Sequence, residues 1–265
     1  MNSLNPFKQW LAKGARIPFG TWLMSAAPAT AEALGHCGFD FLVVDMEHVP
    51  IETPDLVNIL RAVAVTPAQP LVRIAANDAI IVKKVMDAGA RTLMFPFIQT
   101  AAEAAAAVRA TRYPPDGIRG VAAVHRGSHY GRIPDYFKQA NATTAVIIQL
   151  ETPEAIERMA EIAAVPGVDA LFVGPGDLSA AMGRIGEISH PEVQALIEHA
   201  ARMARDLGKP IGIVGPNPAM VARFLGYGYD FVAVASDMGM MTGRAVEWLA
   251  EIRGGQAAPA AEAAY

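Results

Sequence analysis

The sequence predicts an α/β protein folded as a single-domain (β/α)₈ TIM barrel. Eight short apolar runs without polar alternation recur along the chain, which suits parallel strands buried on both faces. The stretches between them carry helical periodicity, and several end near glycine. The chain has 265 residues, 52% of them hydrophobic, enough for one large core and within the range of such a barrel.

Taken in order, the strand candidates are FGTWLM at 19–24, FLVVDM at 41–46, PLVRI at 70–74 and TLMFPF at 92–97, then AVIIQL at 145–150, DALFVG at 169–174, PIGIV at 210–214 and FVAVA at 231–235. Helical spacers are TPDLVNILRAVAV, DAIIVKKVMDAGA, AAEAAAAVRATRY, PEAIERMAEIAAV, PEVQALIEHAARMARDLG and PAMVARFLGYG. The barrel, with an N-terminal and a C-terminal helix, is expected over 1–250 and a flexible tail over 251–265. The gap between Phe97 and Ala145 is the exception: a helix near 101–112 is followed by YPPDGIRGVAAVHRGSHYGRIPDYF. A loop of that length inside a compact domain is more often functional than idle.

Composition narrows the partners. The formal net charge is −4 and the 22 basic residues are scattered, so neither nucleic acid nor an anionic membrane is indicated, and a small molecule is the expected ligand. Cys37 is the only cysteine, which excludes an internal disulfide and a thiolate zinc cluster and fits a reducing compartment. The first twenty residues lack a long apolar core, so a cytoplasmic location is expected. The end, GGQAAPAAEAAY, is expected to fray or to reach a neighbouring chain.

In this architecture chemistry sits where strands end, at the carboxyl rim. The second strand delivers Asp45, Glu47 and His48, the third Arg73, the fifth Gln149 and Glu151, and the sixth runs into VGPGDLS with Asp177. Glu151 and Asp177 come from adjacent strands, and an oxygen-only pair completed by water and substrate suits Mg²⁺, Mn²⁺ or Co²⁺. The competing reading is that each carboxylate caps the helix that follows it. Gly174 and Gly176 flank a proline in a turn whose backbone N–H groups can approach an anion. Arg73 can hold a carboxylate or a developing enolate, or else form an ion pair with Asp45 or Glu47. His48 can act as a general base, or simply bond a loop carbonyl. Lys83, Lys84 and Lys138 fall in helical stretches and Lys209 precedes the seventh strand, so imine chemistry on a barrel lysine is disfavoured and metal-stabilised enolate chemistry favoured.

FDFLVVDMEHVP, QPLVRI, DAGARTLMFPFIQT, TRYPPDGIRGV, GRIPDY, QLETPEAIE, GVDALFVGPGDLSAAMG, HPEVQ and FVAVASD together resemble the class II pyruvate aldolases of the HpcH/HpaI family, from about Phe19 to about Leu249. The resemblance implies that Glu151 and Asp177 bind a divalent metal, that the backbone of Gly176 and Asp177 holds the pyruvate carboxylate, and that Gln149 contacts substrate. It implies that Arg73 steadies the enolate and that His48 is a base working beside a metal-bound water. Asp87, in MDAGA, matches an aspartate that reaches the histidine of a neighbouring subunit and raises its basicity. Trp22 and Val214 match the aldehyde side of the pocket, and the assembly implied is a hexamer with its last helix exchanged between subunits. Met46 and Gly176 depart from the family's common Gly and Ala, and HRGSHYGRI places His125 and His129 in a loop where Arg126 and Ser128 keep the pattern.

The activity implied is retro-aldol cleavage of 4-hydroxy-2-oxo acids, in the catabolism of aromatic compounds or sugar acids. Its rivals are a citrate-lyase-like enzyme acting on a CoA thioester, against which the chain offers no added basic patch, and a non-catalytic barrel that binds a 2-oxo acid. Asp45 and Glu47 are expected to organise Arg73 and the metal's water from outside the ligand shell.

Overall fold

Four to six residues of mostly apolar sequence are enough for one barrel stave, and each predicted run forms one. The strands are β1 (Phe19–Leu23), β2 (Phe41–Asp45), β3 (Gln69–Arg73), β4 (Thr92–Phe95), β5 (Ala145–Leu150), β6 (Ala170–Val173), β7 (Ile211–Gly215) and β8 (Phe231–Ser236). A computed structural model describes residues 5–254 except Ala15, and in it these strands close a parallel barrel in sequence order.

The helices are α1 (Pro6–Lys13), α2 (Pro28–Gly35), α3 (Thr53–Val63), α4 (Ala79–Asp87), α5 (Ala101–Thr111), α6 (Tyr136–Thr143), α7 (Pro153–Glu157), α8 (Met159–Ala163), α9 (Pro175–Ala181), α10 (Pro191–Asp206), α11 (Pro218–Tyr227) and α12 (Asp237–Ile252). The spacer PEAIERMAEIAAV is not one helix but two, broken at Arg158, whose φ of −89° and ψ of 7° leave the helical region. The boundary expected at residue 250 lies inside α12, and residues 255–265 of the expected tail lie outside the described residues. No helix is long and apolar enough to cross a membrane among the described residues.

Strand periodicity sorts side chains into two cores. Trp22, Val43, Leu71, Met94, Ile147, Phe172, Val214 and Phe231 fill the barrel interior, while Leu42, Val44, Val72, Ile148 and Val173 face the helices. Register partners share a face: Val43 pairs with Leu71, Asp45 with Arg73, and Gln149 with Phe172. Alternation therefore carries Asp45, Arg73 and Gln149 inward at the carboxyl rim. Met46 points the other way, into the outer core, which is the role its sequence position left open. At the amino rim α1 closes the barrel, with Phe7 fully buried and edge-on to Phe41 and Phe231, both at 5.4 Å.

The long loop joins the end of α5 to the start of β5, so it lies at the amino rim, not beside the carboxyl-rim pocket. It holds a 3₁₀ turn, η1 (Arg126–Ser128), and α6. Asp87, the last residue of α4, is at the same amino rim.

Candidate active site

The turn DMEH is folded by its own aspartate. Asp45 Oδ1 accepts from the amides of Glu47 at 2.9 Å and His48 at 3.4 Å, and the same carboxylate receives a bidentate grip from Arg73, with Nε–Oδ1 3.0 Å and Nη2–Oδ2 2.6 Å. Arg73 Nη1 also stands 2.9 Å from Glu47 Oε2, and its guanidinium lies over the Trp22 ring at 5.2 Å. Burial opposes charge on Asp45 and Arg73 alike, but their mutual bonds outweigh it: the Asp45 carboxyl is held below the usual range and Arg73 above its own. Glu47 is shifted up, chiefly by burial, against the pull of Arg73. Arg73 is thus a permanent, aimed cation. The ion-pair reading of Arg73 holds, and the pair fixes a fork that lines the pocket.

His48 lines the pocket with its side chain 57% exposed, its Nε2 3.9 Å from Glu47 Oε2.

Glu151 is only 1% exposed, and both of its oxygens are used. Oε1 accepts from Gln149 Nε2 at 2.8 Å and Oε2 from the Phe97 amide at 2.8 Å. Burial first, and then the charge of Asp177, push its carboxyl up to about 8. The cap reading fails for Glu151, because Thr152 caps α7 through the Ala155 amide. Asp177 stands exposed in the first turn of α9, whose N-cap, Gly174, contributes no side chain. The glycine before the proline acts sterically: a Cβ on Gly174 would collide with Glu151 Oε1 and stand 2.9 Å from Gln149 Nε2. Gln149 Oε1 is buried without a partner.

Trp22, His48, Arg73, Gln149, Glu151, Asp177 and Val214 line one pocket of about 540 Å³, counting its open mouth. The predicted residues from six strand ends are therefore brought together, and no lysine is among the lining. Gly176 lies beside it in the first turn of α9. Met24, Pro175, Ala235 and Ser236 complete the wall without having been singled out in the sequence. The backbones of Phe97 (φ 53°) and Ala235 (φ 48°) are left-handed there, a strain that apolar run patterns do not reveal. Asp87 is the predicted residue the single chain does not bring to the pocket. At the amino rim it accepts from Arg119 Nη2 at 2.7 Å, with His125 Nε2 at 3.7 Å.

Do these residues fit a divalent cation? A buried carboxylate that resists ionisation, a second carboxylate facing it and an unpartnered amide oxygen form an all-oxygen donor set of the hard-cation type. Among the described residues no group of three or more His, Cys, Asp or Glu side chains is placed to hold a metal.

A parallel barrel whose carboxyl rim sets a locked cation beside a carboxylate pair defines an enzyme that manages negative charge on a small oxygen-rich substrate. The chain belongs to the HpcH/HpaI aldolase/citrate lyase family, whose model matches residues 18–243. It is 53% identical over 255 residues to the 2-dehydro-3,6-dideoxy-6-sulfogluconate aldolase of Pseudomonas putida, covering 96% of this chain and all of that one. It is 44% identical over 236 residues to the 5-keto-4-deoxy-D-glucarate aldolase of Salmonella arizonae, covering 89% of this chain and 92% of the relative. The solved structure of a family member from Burkholderia cenocepacia superposes with a TM-score of 0.92 at 41% identity, covering 94% of this chain and all of that one. The protein is an aldolase, a carbon–carbon lyase.

Proposed function

We propose that the protein cleaves 4-hydroxy-2-oxo acids reversibly to pyruvate and an aldehyde, with a divalent cation held by Glu151 and Asp177. The observation that carries this is Glu151, a buried carboxylate pushed up to about 8 in the same pocket as the permanently cationic Arg73. Such a pair of carboxylates is short of positive charge, and a cation supplies it. When bound, Mg²⁺, Mn²⁺ or Co²⁺ supplies Lewis-acid polarisation of the 2-oxo group and an anchor for the substrate.

The chain's own residues do the rest. The first-turn amides of Gly176 and Asp177 have no helical acceptor and suit the substrate carboxylate. Arg73, held by Asp45 and Glu47, donates to the 2-oxo oxygen as negative charge grows there. His48 takes the 4-hydroxyl proton, the C3–C4 bond breaks, and its electron pair enters the C2–C3 enolate while C4 becomes the aldehyde carbonyl. The enolate takes a proton at C3 to give pyruvate. The aldehyde lies against Trp22 and Val214. By likeness to the sulfogluconate and glucarate relatives, the substrate is drawn from sugar-acid breakdown.

The working form is an oligomer, a hexamer with exchanged last helices, in which a second copy supplies Asp87 to His48. The support is α12: Met241, Val246, Trp248, Leu249 and Ile252 are exposed along it, an apolar face left uncovered by its own barrel.

A pyruvate-release assay over a panel of 4-hydroxy-2-oxo acids tests the reading. Turnover is expected to stop with EDTA and return with Mg²⁺, Mn²⁺ or Co²⁺, and borohydride with pyruvate should leave the enzyme active. Turnover indifferent to EDTA, or inactivation by borohydride, would defeat it.

A further inference from the structure

The amino rim carries a second polar cavity, at the opposite end of the barrel from the pocket just described. Arg61, Arg91, Arg126 and His129 line it together with Gly89 and Tyr130, around about 610 Å³ open to solvent. Arg61 comes from the last turn of α3, Arg91 from the link into β4, and Arg126 and His129 from η1 and the turn after it. Their bonds leave most donors free: Arg126 Nη1 donates to the Ala88 carbonyl at 2.9 Å and Arg61 Nη1 to Asn58 Oδ1 at 3.1 Å. Among the described residues no carboxylate lies within ion-pair distance of Arg61, Arg91 or Arg126. In a chain of net charge −4, three unpaired guanidinium groups around one concavity are a local excess of positive charge.

The backbone is built around these groups. Gly89 has φ +112°, a conformation other residues rarely adopt, and a Cβ there would meet Arg126 Nη1, the movable end of that side chain. The turn that delivers His129 holds two successive residues, His129 at 48° and Tyr130 at 56°, in the left-handed region. Non-glycine residues keep that conformation only where their surroundings impose it. Burial, and then the charge of Arg61, also weaken Arg126's hold on its proton, a cost that a bound anion removes.

We propose that this cavity binds a small dianionic oxoanion of the phosphate type on Arg61, Arg91 and Arg126, and that the bound anion pins the η1 turn. Planar guanidinium forks from three separate elements can surround a tetrahedral anion from within the concavity. A carboxylate on the surface of a second copy would bring one charge from one side and leave two forks unpaired. The proposal does not depend on the metal and substrate roles given to the carboxyl-rim pocket.

The test is isothermal titration of the full-length, metal-free protein with inorganic phosphate at constant ionic strength, with glycerol 3-phosphate as a second arm. One saturable phosphate per chain is expected, roughly tenfold or more weaker in Arg126→Ala and weakened again in Arg61→Ala, with Arg126→Lys retaining part of the affinity. Amide exchange over residues 125–131 should slow with phosphate in the parent and not in Arg126→Ala. Tighter uptake of glycerol 3-phosphate assigns the site to the anionic end of a metabolite, and equal uptake to the free ion. Absence of saturable uptake overturns the proposal, and so does uptake that both alanine variants leave unchanged, which would put the anion at Arg73. Dissociation of the assembly in Arg61→Ala, without phosphate binding in the parent, assigns the arginines to a second copy and overturns it too.

Discussion

Glu151 sits where its own charge is opposed, and that has a consequence for stability. In the unfolded chain a glutamate titrates near 4.5, and in the folded, metal-free protein Glu151 is pushed up to about 8. Between those values the folded state holds the extra proton, so stability falls as pH rises from about 4.5 to about 8, and the loss is complete above that. Thermal unfolding after EDTA treatment should show this fall in the parent and a flatter profile in Glu151→Gln, with added Mn²⁺ raising the parent alone. Identical profiles for the two proteins would contradict the assignment. Gly174→Ala acts on the same group by a different route, since the added Cβ must displace Glu151. Cation affinity is expected to drop roughly 10–100-fold, as when the support of a ligand is lost; unchanged affinity by titration calorimetry would mean Glu151 is not a ligand. His48→Ala should lower kcat roughly 10²–10⁴-fold while pyruvate still binds, a split that marks a base and not a binding group.

At the scale of elements, α1 does more than precede the barrel. Phe7, packed between Phe41 and Phe231, is the floor of the interior, and Phe7→Ala should destabilise the fold by about 3–5 kcal/mol, read by urea unfolding. A loss under about 1 kcal/mol would show that the floor collapses or stands without it. The eight strands were legible because they are largely buried on both faces and so read as mostly apolar runs. Asp45, Arg73, Gln149 and Glu151 were legible for a related reason: each follows such a run directly at its carboxyl end. α2 was not, being short and led by proline with little periodicity to declare it. Gly174 and Phe97 escaped as well, because their roles depend on how closely one element's backbone approaches a side chain of another. The long loop was recognisable as unusual, but its address at the amino rim follows only from the closed barrel.

For the whole molecule the decisive fact is that Asp87 and His48 occupy opposite ends of the same barrel. At the amino rim Asp87 is oriented by Arg119, itself stacked over Tyr113 at 4.4 Å, and flanked by His125, whose buried Nε2 finds no hydrogen bond. For Asp87 to serve a His48, as proposed above, that His48 must belong to another chain, and the exposed apolar face of α12 supplies a reason for chains to associate. Complementation between two inactive variants is expected. Asp87→Asn and His48→Asn should each be poorly active alone. Co-expressed so that subunits mix at random, they should regain activity, because about a quarter of the sites then pair an intact His48 with an intact Asp87 from a neighbour. Steady-state rates on the mixed assembly, with its mass fixed by light scattering, make the measurement. A mixed assembly as inactive as its parents, or an Asp87→Asn protein with full activity, would confine the chemistry to a single barrel and leave Asp87 a structural partner of Arg119.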